Sequence, residues 1–503
     1  MKEKRRRLTY QMLKEKGYTG YYTEEGTERI LQFGAGNFLR AFADYFIDCM
    51  NEKENFQSKV VVVQSTSGGK GVQLAEQDGL YQVYLKGMEN GMPVTKNRLI
   101  SCISRTIDAR EHFDQVLETA HNPDMRFIIS NTTEAGIVYD ENCKLEDRVP
   151  RTFPAKLTKL LFERYRAFSD AKGYFILSCE LIDDNGTELL KCVLRHAEDW
   201  KLGQGFCEWL TTENLFCTTL VDRIVTGYPK EEAETYVEEN GWEDTALVVG
   251  ELFGFWAIAG SEQLKKEFPA EDAGLPVVIT DNVAYYKKRK VRILNGAHTS
   301  MATVSFLAGE NYVRESTENP LIREYLNQLI YHEIIPSLGM DPSDMSRFAD
   351  EVIDRFRNPY VKHRLLDITL NSVAKWKARV LPTLLEAVEK GGNFPEALTL
   401  SFTGLLSFYS AAVRMENGRL YGMYQDQLYE IRDDKEVLDF FAERINKPVD
   451  AAYLRDFAGK YGFFGYDLTG IDGFAKQVLK DCEIIKEKGM QILLEQKYGT
   501  ALA

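Results

Sequence analysis

The stretch from Arg29 to Arg40, RILQFGAGNFLR, decides the fold class of this chain. Its first five residues form a short apolar run, which predicts a β-strand, and Gly34 and Gly36 predict a tight turn directly after it. From Ala41 to Asn51 the apolar residues recur at helical spacing. Strand, glycine-rich turn and helix in this order are typical of the first βα unit of a nucleotide-binding domain.

After this unit, predicted strands and helices alternate along the N-terminal half of the chain. The β-branched run Val60–Gln64 is typical of a strand buried on both faces of a parallel sheet. The other predicted elements are strands at Arg126–Ser130, Tyr174–Cys179 and Val277–Thr280 and helices at Glu111–His121 and Pro154–Tyr165. This alternation predicts an α/β fold, with a Rossmann-like doubly wound domain over residues 1–281.

Beyond about Asp281 long helical patterns dominate, and proline and glycine separate them. The predicted helices are Asn282–Arg292, Pro320–Pro336, Ser343–Arg357, Leu365–Leu385 and Leu398–Arg414. We therefore predict a mostly α-helical second domain over residues 282–503. The most apolar stretch, Leu247 to Gly260, is too short to span a bilayer and indicates a buried helix or a pair of strands.

The charge balance limits the possible partners. Lys and Arg number 62 and Asp and Glu number 76, which gives a net charge of −14. An acidic surface repels phosphate backbones, so nucleic-acid binding is disfavoured as the main function. An anionic small-molecule substrate remains possible if a local cationic pocket binds it.

The eight cysteines show neither CxxC pairs nor zinc-ligand spacing, so we expect no metal site and free thiols in a reducing cytoplasm. The basic N-terminus, with Lys2, Lys4 and residues 5–7, is not followed by an apolar core and does not resemble a secretory signal. We expect these basic side chains to be solvated. Membrane attachment is not expected.

The glycine turn is the predicted nucleotide site. Glycines at this point allow a pyrophosphate to approach the backbone, and the N-terminus of the following helix supplies N–H donors. The third glycine of the usual pattern is replaced by Leu39, so an ordinary strand-to-helix turn is the alternative. The second strand ends in Gln64, a neutral residue that does not decide between NAD and NADP.

The segment from Lys290 to His298, KVRILNGAH, contains the pattern K-x4-N-x2-H. On an α-helix Asn295 and His298 share one face, whereas Lys290 lies on the flank unless the helix starts or bends between them. A lysine amine that is desolvated beside a nicotinamide ring has a lowered pKa and can exchange a proton with a carbinol oxygen. The alternatives are a solvated basic helix face and a histidine whose hydrogen bonds are satisfied in the core.

These features together resemble the long-chain mannitol dehydrogenase family, which contains polyol and hexuronate dehydrogenases that use NAD(P) without a metal. The resemblance rests on the strand with GxGNFxRA, on the segment 221–224 (VDRI) and on K-x4-N-x2-H, and it extends from about residue 25 to 490. Longer strings are similar to hexuronate-acting members. These strings are residues 32–42, 77–81, 130–137, 179–183, 221–229 and 356–360.

The resemblance implies a role for each site residue. Lys290 would be the general acid/base, Asn295 and Asn185 would form the oxyanion site, and His298 would bind substrate hydroxyls. The remaining expected contacts are Gly34, Gly36, Asn37 and Phe38 with the pyrophosphate, Asn131 and Thr132 with the nicotinamide half of NAD, and Asp222 with the substrate pocket.

Two departures from the polyol-acting members indicate the substrate. Four residues after Pro359, where mannitol-type members carry Asp, this chain has His363, and Lys362 precedes it. The segment Ser178–Leu181 reads SCEL, where polyol members have Ser-Cys-Asp-Asn. A basic pair in place of an acid suits a carboxylate-bearing substrate, although two exposed side chains at a helix start are the alternative.

The resemblance therefore implies NADH-dependent reduction of a keto-uronate in the cytoplasm, interconverting D-tagaturonate and D-altronate. The alternatives are reduction of D-fructuronate to D-mannonate, which differs only in stereochemistry, and mannitol-type polyol oxidation. A catalytically silent protein that senses NADH is the non-enzymatic alternative. The sequence does not indicate an oligomeric state.

Overall fold

The computed structural model describes residues 6–89, 91–132, 135–168, 173–391 and 394–502. The residues Lys2, Lys4 and Arg5 of the basic N-terminus lie outside this part of the chain, as do Thr133 and Glu134. The chain divides into two compact units. Unit 1 comprises Met1–Gly87 and Val94–Tyr286, and unit 2 comprises Met88–Pro93 and Lys287–Ala503.

The described part of unit 1 is built on two β-sheets. Its strands are β1 (Thr27–Phe33), β2 (Ser58–Gln64), β3 (Tyr81–Glu89), β4 (Met92–Ile100), β5 (Ile103–Asp108), β6 (Phe127–Ser130), β7 (Phe175–Ser178), β8 (Leu215–Asp222), β9 (Val225–Gly227), β10 (Val248–Glu251), β11 (Phe255–Ala259) and β12 (Val277–Thr280), where the segment Met88–Pro93 of β3 and β4 belongs to unit 2. The large sheet has the order β12-β11-β8-β7-β6-β1-β2-β5, and the small sheet has the order β4-β3-β10-β9.

Strands β8, β7, β6, β1, β2 and β5 are parallel, and β11 joins this array antiparallel to β8. The helices of this region are α1 (Tyr10–Lys16), α2 (Asn37–Ala41), α3 (Ala43–Lys53), α4 (Gly71–Ala75), α5 (Phe113–Glu118), α6 (Phe153–Ala167), α7 (Asn185–Asp199), α8 (Gln204–Thr212), α9 (Ala233–Asn240), α10 (Glu262–Glu267) and α11 (Val283–Arg289), which continues into unit 2. The predicted Rossmann-like α/β fold is confirmed.

The parallel sheet is buried on both faces, as the β-branched run in β2 predicted. Val60, Val61, Val62 and Val63 have no exposed area. One face packs on a cluster that includes Phe42, and the other packs on a cluster that includes Phe113. The apolar stretch 247–260 forms two strands, β10 and β11, with a short loop between them. The two strands belong to different sheets.

Unit 2 is mostly helical, which confirms the predicted fold class. Its helices are α12 (Gly296–Leu307), α13 (Val313–Glu318), α14 (Pro320–Asn327), α15 (Ile335–Leu338), α16 (Pro342–Phe356), α17 (Leu365–Ile368), α18 (Ser372–Arg379), α19 (Leu381–Glu389), α20 (Glu396–Ser410), α21 (Lys435–Ala442), α22 (Ala451–Ala458), α23 (Phe474–Lys488) and α24 (Met490–Tyr498). An antiparallel sheet consists of β13 (Ala412–Glu416), β14 (Arg419–Tyr424) and β15 (Gln427–Ile431). Two stretches, Lys290–Asn295 and Gln328–Ile334, are π-helical.

Two predicted helices of unit 2 were wrong in extent. The pattern over Leu365–Leu385 is divided into α17, α18 and α19, because Asn371 adopts a left-handed φ of +53° and Pro382 lies in the first turn of α19. The pattern over Leu398–Arg414 ends as a helix at Ser410, and Arg414 lies in β13.

All eight cysteines are unbridged thiols, and six of them are buried. Within the residues that the structure describes, no helix is long and apolar enough to cross a membrane. Among these described residues, no group of three or more His, Cys, Asp or Glu side chains is arranged so that it could hold a metal ion.

Asp44, in α3, gives a pH-dependent contribution to stability. Burial raises the pKa of its carboxyl to about 7, although Tyr81 donates a hydrogen bond of 2.9 Å to it. An unfolded aspartate titrates near about 4, so between about pH 4 and 7 the folded state holds a proton that the unfolded state has released. The contribution of Asp44 to the free energy of unfolding therefore falls as pH rises through this window.

We expect Asp44→Asn to remove this dependence. Relative to the unmodified protein, the variant should gain about 2.7 kcal/mol between pH 5 and pH 8, since the two pH units between 5 and the folded pKa are worth roughly 1.4 kcal/mol each. Melting temperatures of both proteins at the two pH values measure the difference. Parallel pH profiles would show that Asp44 is ionised in the folded state across the range.

Candidate active site

The turn after β1 contains two glycines whose surroundings differ. Gly34 has a left-handed φ of +133°, and a Cβ there would lie 3.3 Å from the backbone oxygen of Asn131. Among the described residues, no atom lies within 4 Å of the position of a Cβ at Gly36, which immediately precedes α2. Packing therefore requires glycine at position 34, whereas Gly36 leaves room that a ligand can occupy.

The two residues that follow are held by contacts within unit 1. Asn37 Oδ1 accepts a hydrogen bond of 2.7 Å from Arg40, and Phe38 stacks on Phe42 with ring centroids 4.9 Å apart. The helix predicted from Ala41 is interrupted at Phe42. The five-residue helix α2 ends at Ala41, and α3 begins at Ala43. Arg40 thus fixes the side-chain oxygen of Asn37, and a phosphate contact of Asn37 would use its backbone N–H or its Nδ2.

The carboxyl ends of β1, β2, β6 and β7 meet at one edge of the parallel sheet. At the end of β2, Gln64 is buried and its Oε1 accepts a hydrogen bond of 2.7 Å from the backbone of Gly71. This side chain therefore supports the loop after β2. Its neutral amide is consistent with the sequence, which left the choice between NAD and NADP open.

Hydrogen bonds join the residues at the end of β6 to the residues that follow β7. Asn131 Nδ2 donates to the backbone oxygen of Cys179 at 2.5 Å. The buried carboxylate of Glu180 accepts hydrogen bonds from the backbone N–H and the hydroxyl of Thr132, each 3.1 Å, and from Ser130. Burial raises the pKa of Glu180, and these hydrogen bonds oppose the shift. Asn131 and Thr132 therefore lie in a rigid polar ridge beside Gly34.

Asn185 opens α7 and is buried. Its Nδ2 donates to the backbone oxygens of Glu180 at 2.9 Å and Thr219 at 3.0 Å. Its Oδ1 accepts from the backbone N–H groups of Gly186 and Thr219, each at 2.9 Å. Because all four bonds stay within unit 1, Asn185 would join an oxyanion site only by exchanging one of them.

Asp222 ends β8 and is buried, in register with Phe255 of β11. Its neighbour Arg223 is also buried and donates to the backbone oxygens of Phe253 at 2.9 Å and Ala41 at 2.6 Å. Burial lowers the pKa of Arg223 to about 10. Arg223 therefore links the backbone at Ala41 to the backbone at Phe253, while Asp222 lies at the carboxyl end of its strand.

The predicted catalytic segment is not a plain α-helix. Lys290 and Asn295 are the first and last residues of a π-helical stretch, and α12 carries His298 directly after it. Residues five apart close the hydrogen-bonded turn of a π-helix. Lys290 and Asn295 therefore lie nearer to one face than in an α-helix, so the flank position expected for Lys290 in a regular helix does not apply. Both side chains are partly buried.

His298 lies between two rings. Its imidazole stacks on Phe356 at 5.3 Å and contacts His363 at 4.7 Å between centroids. Its Nε2 is enclosed and has no hydrogen-bond partner among the residues that the structure describes. Burial, and then the charges of His363 and Arg379, hold the pKa of His298 well below its usual value. The ring is therefore neutral, and its Nε2 is a buried hydrogen-bonding atom that the described residues leave unsatisfied.

His363 is partly buried beside His298, whereas Lys362 is exposed. Burial lowers the pKa of His363. The sequence reasoning missed three other cations whose charges act on His298, namely Arg355, Lys375 and Arg379. Their spacing on α16 and α18 gives no signal by itself, because packing of separate helices brings them to His298.

A different cavity in unit 2, of about 530 Å³, is lined by Glu310, Glu315 and Glu318 among others. Its carboxylates would repel an anionic substrate. The region of His298, on which the charges of Arg355, Lys375 and Arg379 act, is the better candidate for binding an anion.

Two family models match the chain. The mannitol dehydrogenase Rossmann domain matches residues 28–271, and the mannitol dehydrogenase C-terminal domain matches residues 282–447. An altronate oxidoreductase of Bacillus subtilis (strain 168) is 43% identical over 95% of this chain and 96% of its own length. An altronate oxidoreductase of Escherichia coli O6:K15:H31 (strain 536 / UPEC) is 41% identical over 92% of this chain and 95% of its own length.

Two solved structures share the fold. A substrate-free D-sorbitol dehydrogenase superposes with a TM-score of 0.75 at 21% identity, over 94% of this chain and 96% of its own. A mannitol 2-dehydrogenase of Pseudomonas fluorescens, in a ternary complex with NAD and D-mannitol, has a TM-score of 0.65 at 22% identity. This likeness covers 98% of this chain and 99% of that chain.

Proposed function

This chain belongs to the mannitol dehydrogenase family of oxidoreductases, and from that premise we propose that it is an NAD-dependent enzyme that interconverts D-tagaturonate and D-altronate. The relatives named altronate oxidoreductase support the substrate, since they match more than nine-tenths of the chain. The observation that carries the proposal is the neutral His298, whose unpartnered Nε2 is surrounded by cations next to K-x4-N. Such surroundings suit a polyhydroxylated anion.

Residues 1–281 would bind the nucleotide and residues 282–503 the substrate. The space above Gly36 at the start of α2 fits a pyrophosphate, with Gly34, Asn37 and Phe38 around it. The ridge of Asn131 and Thr132 would lie along the nicotinamide half. Bound NADH supplies the hydride for ketone reduction.

The side chains of this chain would manage the proton and the developing charge. Lys290 would donate a proton to the ketone oxygen during reduction and accept it during oxidation. Asn295, and Asn185 after exchange of a hydrogen bond, would donate to that oxygen as its charge grows. His298 would bind a substrate hydroxyl through Nε2, Asp222 would support the pocket, and Lys362 and His363 would attract the carboxylate.

Substrate identity can be tested by NADH oxidation with D-tagaturonate, D-fructuronate and D-mannitol tested separately, the last with NAD⁺. We expect turnover with D-tagaturonate and little with the other two, and we expect NADPH to be the poorer cofactor. Turnover with D-fructuronate alone would keep the proton-transfer mechanism and replace the substrate. Turnover with D-mannitol alone would reject a sugar-acid enzyme.

Gly36→Ala tests the nucleotide site. The added Cβ meets no atom of the described residues within 4 Å, so it should cost less than about 1 kcal/mol of stability. It would occupy the space proposed for the pyrophosphate and displace it from the backbone donors. We expect the KM for NADH to rise roughly tenfold, the equivalent of one lost hydrogen bond, with the melting temperature nearly unchanged. An unchanged KM for NADH would contradict this placement.

A further inference from the structure

Helix α18 brings two cations to the catalytic segment from outside it. Lys375 and Arg379 lie four residues apart on α18 and therefore on one face. Arg379 Nη1 donates to Thr299 Oγ1 at 3.2 Å, and Thr299 directly follows His298. A Cβ at Gly296 would lie 3.4 Å from the backbone oxygen of Arg379. The end of α18 is thus fixed against the first turn of α12.

Neither cation forms an ion pair with a carboxylate of the described residues, although the charge of Asp433 acts on Lys375. Within the described residues, no carboxylate lies within ion-pair distance of Arg379 or Lys375, and the ammonium of Lys375 donates to the backbone oxygen of Ile368 at 3.0 Å. By contrast, Arg292 pairs with Glu386 at 3.0 Å. Both unpaired cations are partly buried, and burial lowers the pKa of each.

The two cations lower the stability of α18, so the formation of this helix does not account for their presence. Like charges four residues apart destabilise a helix, and partial burial of an unpaired charge adds to that cost. A basic residue in the last turn favours the helix dipole, but the exposed Lys377 of the same turn meets that need in water. An unpaired, partly buried guanidinium is instead typical of a site that binds an anion.

We propose that the guanidinium of Arg379 binds the carboxylate of the sugar-acid substrate, an inference that rests on the proposed function. Thr299 holds Nη1, so the planar group is already oriented and its other N–H donors remain for a carboxylate. Nε2 of His298, one residue before Thr299, then binds a hydroxyl of the same molecule. Arg379 thereby selects a keto-uronate over a neutral ketohexose, and the exposed Lys362 plays a smaller part.

Arg379→Met keeps the apolar stem and removes the charge. We expect the KM for D-tagaturonate to rise roughly 10- to 100-fold, the value of a charge-assisted hydrogen bond, with the KM for NADH unchanged. The KM for D-tagatose, in which a hydroxymethyl group replaces the carboxylate, should change by less than about threefold. Arg379→Lys should recover part of the loss. Lys377→Met removes a charge from the exposed side of α18 and is the matched control.

Binding is measured separately from turnover by the rise in melting temperature that D-altronate causes. We expect this rise in the unmodified protein, in Arg379→Lys and in Lys377→Met, and its loss in Arg379→Met. An equal rise in Arg379→Met, or equal effects on D-tagaturonate and D-tagatose, would overturn the inference and leave the proposed function intact. If the unmodified protein neither binds D-altronate nor reduces D-tagaturonate, the proposed function itself is wrong.

Discussion

Replacing Lys290 with alanine should lower kcat for D-tagaturonate reduction by at least about 100-fold, the usual scale of general acid catalysis. The side chain begins the π-helical stretch that ends at Asn295, so both groups can address one substrate oxygen. The variant loses the proton donor while Asn295 and His298 remain. The KM for NADH should be unchanged, because the predicted nucleotide contacts all lie in unit 1.

Two further variants separate proton transfer from positive charge. Lys290→Arg keeps a cation that does not deprotonate at any working pH, so kcat should stay low in both reaction directions. Lys287→Ala removes a lysine from the same basic run and should retain near-normal turnover. Steady-state kinetics of reduction and oxidation measure these effects. Full activity in Lys290→Ala would remove the proposed mechanism, and recovery in Lys290→Arg would assign Lys290 an electrostatic role.

The sequence predicted a catalytic segment from Lys290 to His298 but not the geometry of its helix. Apolar spacing predicts helices on the assumption of 3.6 residues per turn, and the π-helical stretch from Lys290 to Asn295 violates that assumption. Its apolar residues give no sign of the change. The relative positions of Lys290 and Asn295 therefore required the structure.

The parallel sheet was predictable because its strands are continuous apolar runs between turn signals. The cations around His298 were not predictable, since Arg379 reaches Thr299 through the packing of α18 against α12. The family resemblance supplied His363, and the structure places its ring 4.7 Å from that of His298. The family resemblance thus pointed to residues within its sequence motifs. The packing of separate helices revealed the cations that are distant from those motifs in sequence.

Replacing Gly186 with alanine should destabilise unit 1 by about 3 kcal/mol, at the upper end of overpacking effects. A Cβ at this position would lie 2.5 Å from the backbone carbon of Cys217 and 2.5 Å from the backbone nitrogen of Thr218. Both atoms belong to β8, which is hydrogen-bonded to β7 and β11 and has little freedom to move. Helix α7 would have to shift away from the sheet.

Thermal unfolding measures this effect, and a fall of roughly 5–10 °C in melting temperature is expected. Gly68→Ala is the control, because its Cβ meets no atom of the described part of the chain within 4 Å and its backbone needs no left-handed φ. The result also bears on Asn185, whose hydrogen bonds to Thr219 require α7 to stay against β8. A variant that melts normally would mean that α7 can withdraw from β8. That withdrawal would release the amide of Asn185 for the oxyanion, whereas the expected loss of stability would mean that α7 stays against β8 and that Asn185 must exchange a single hydrogen bond in place.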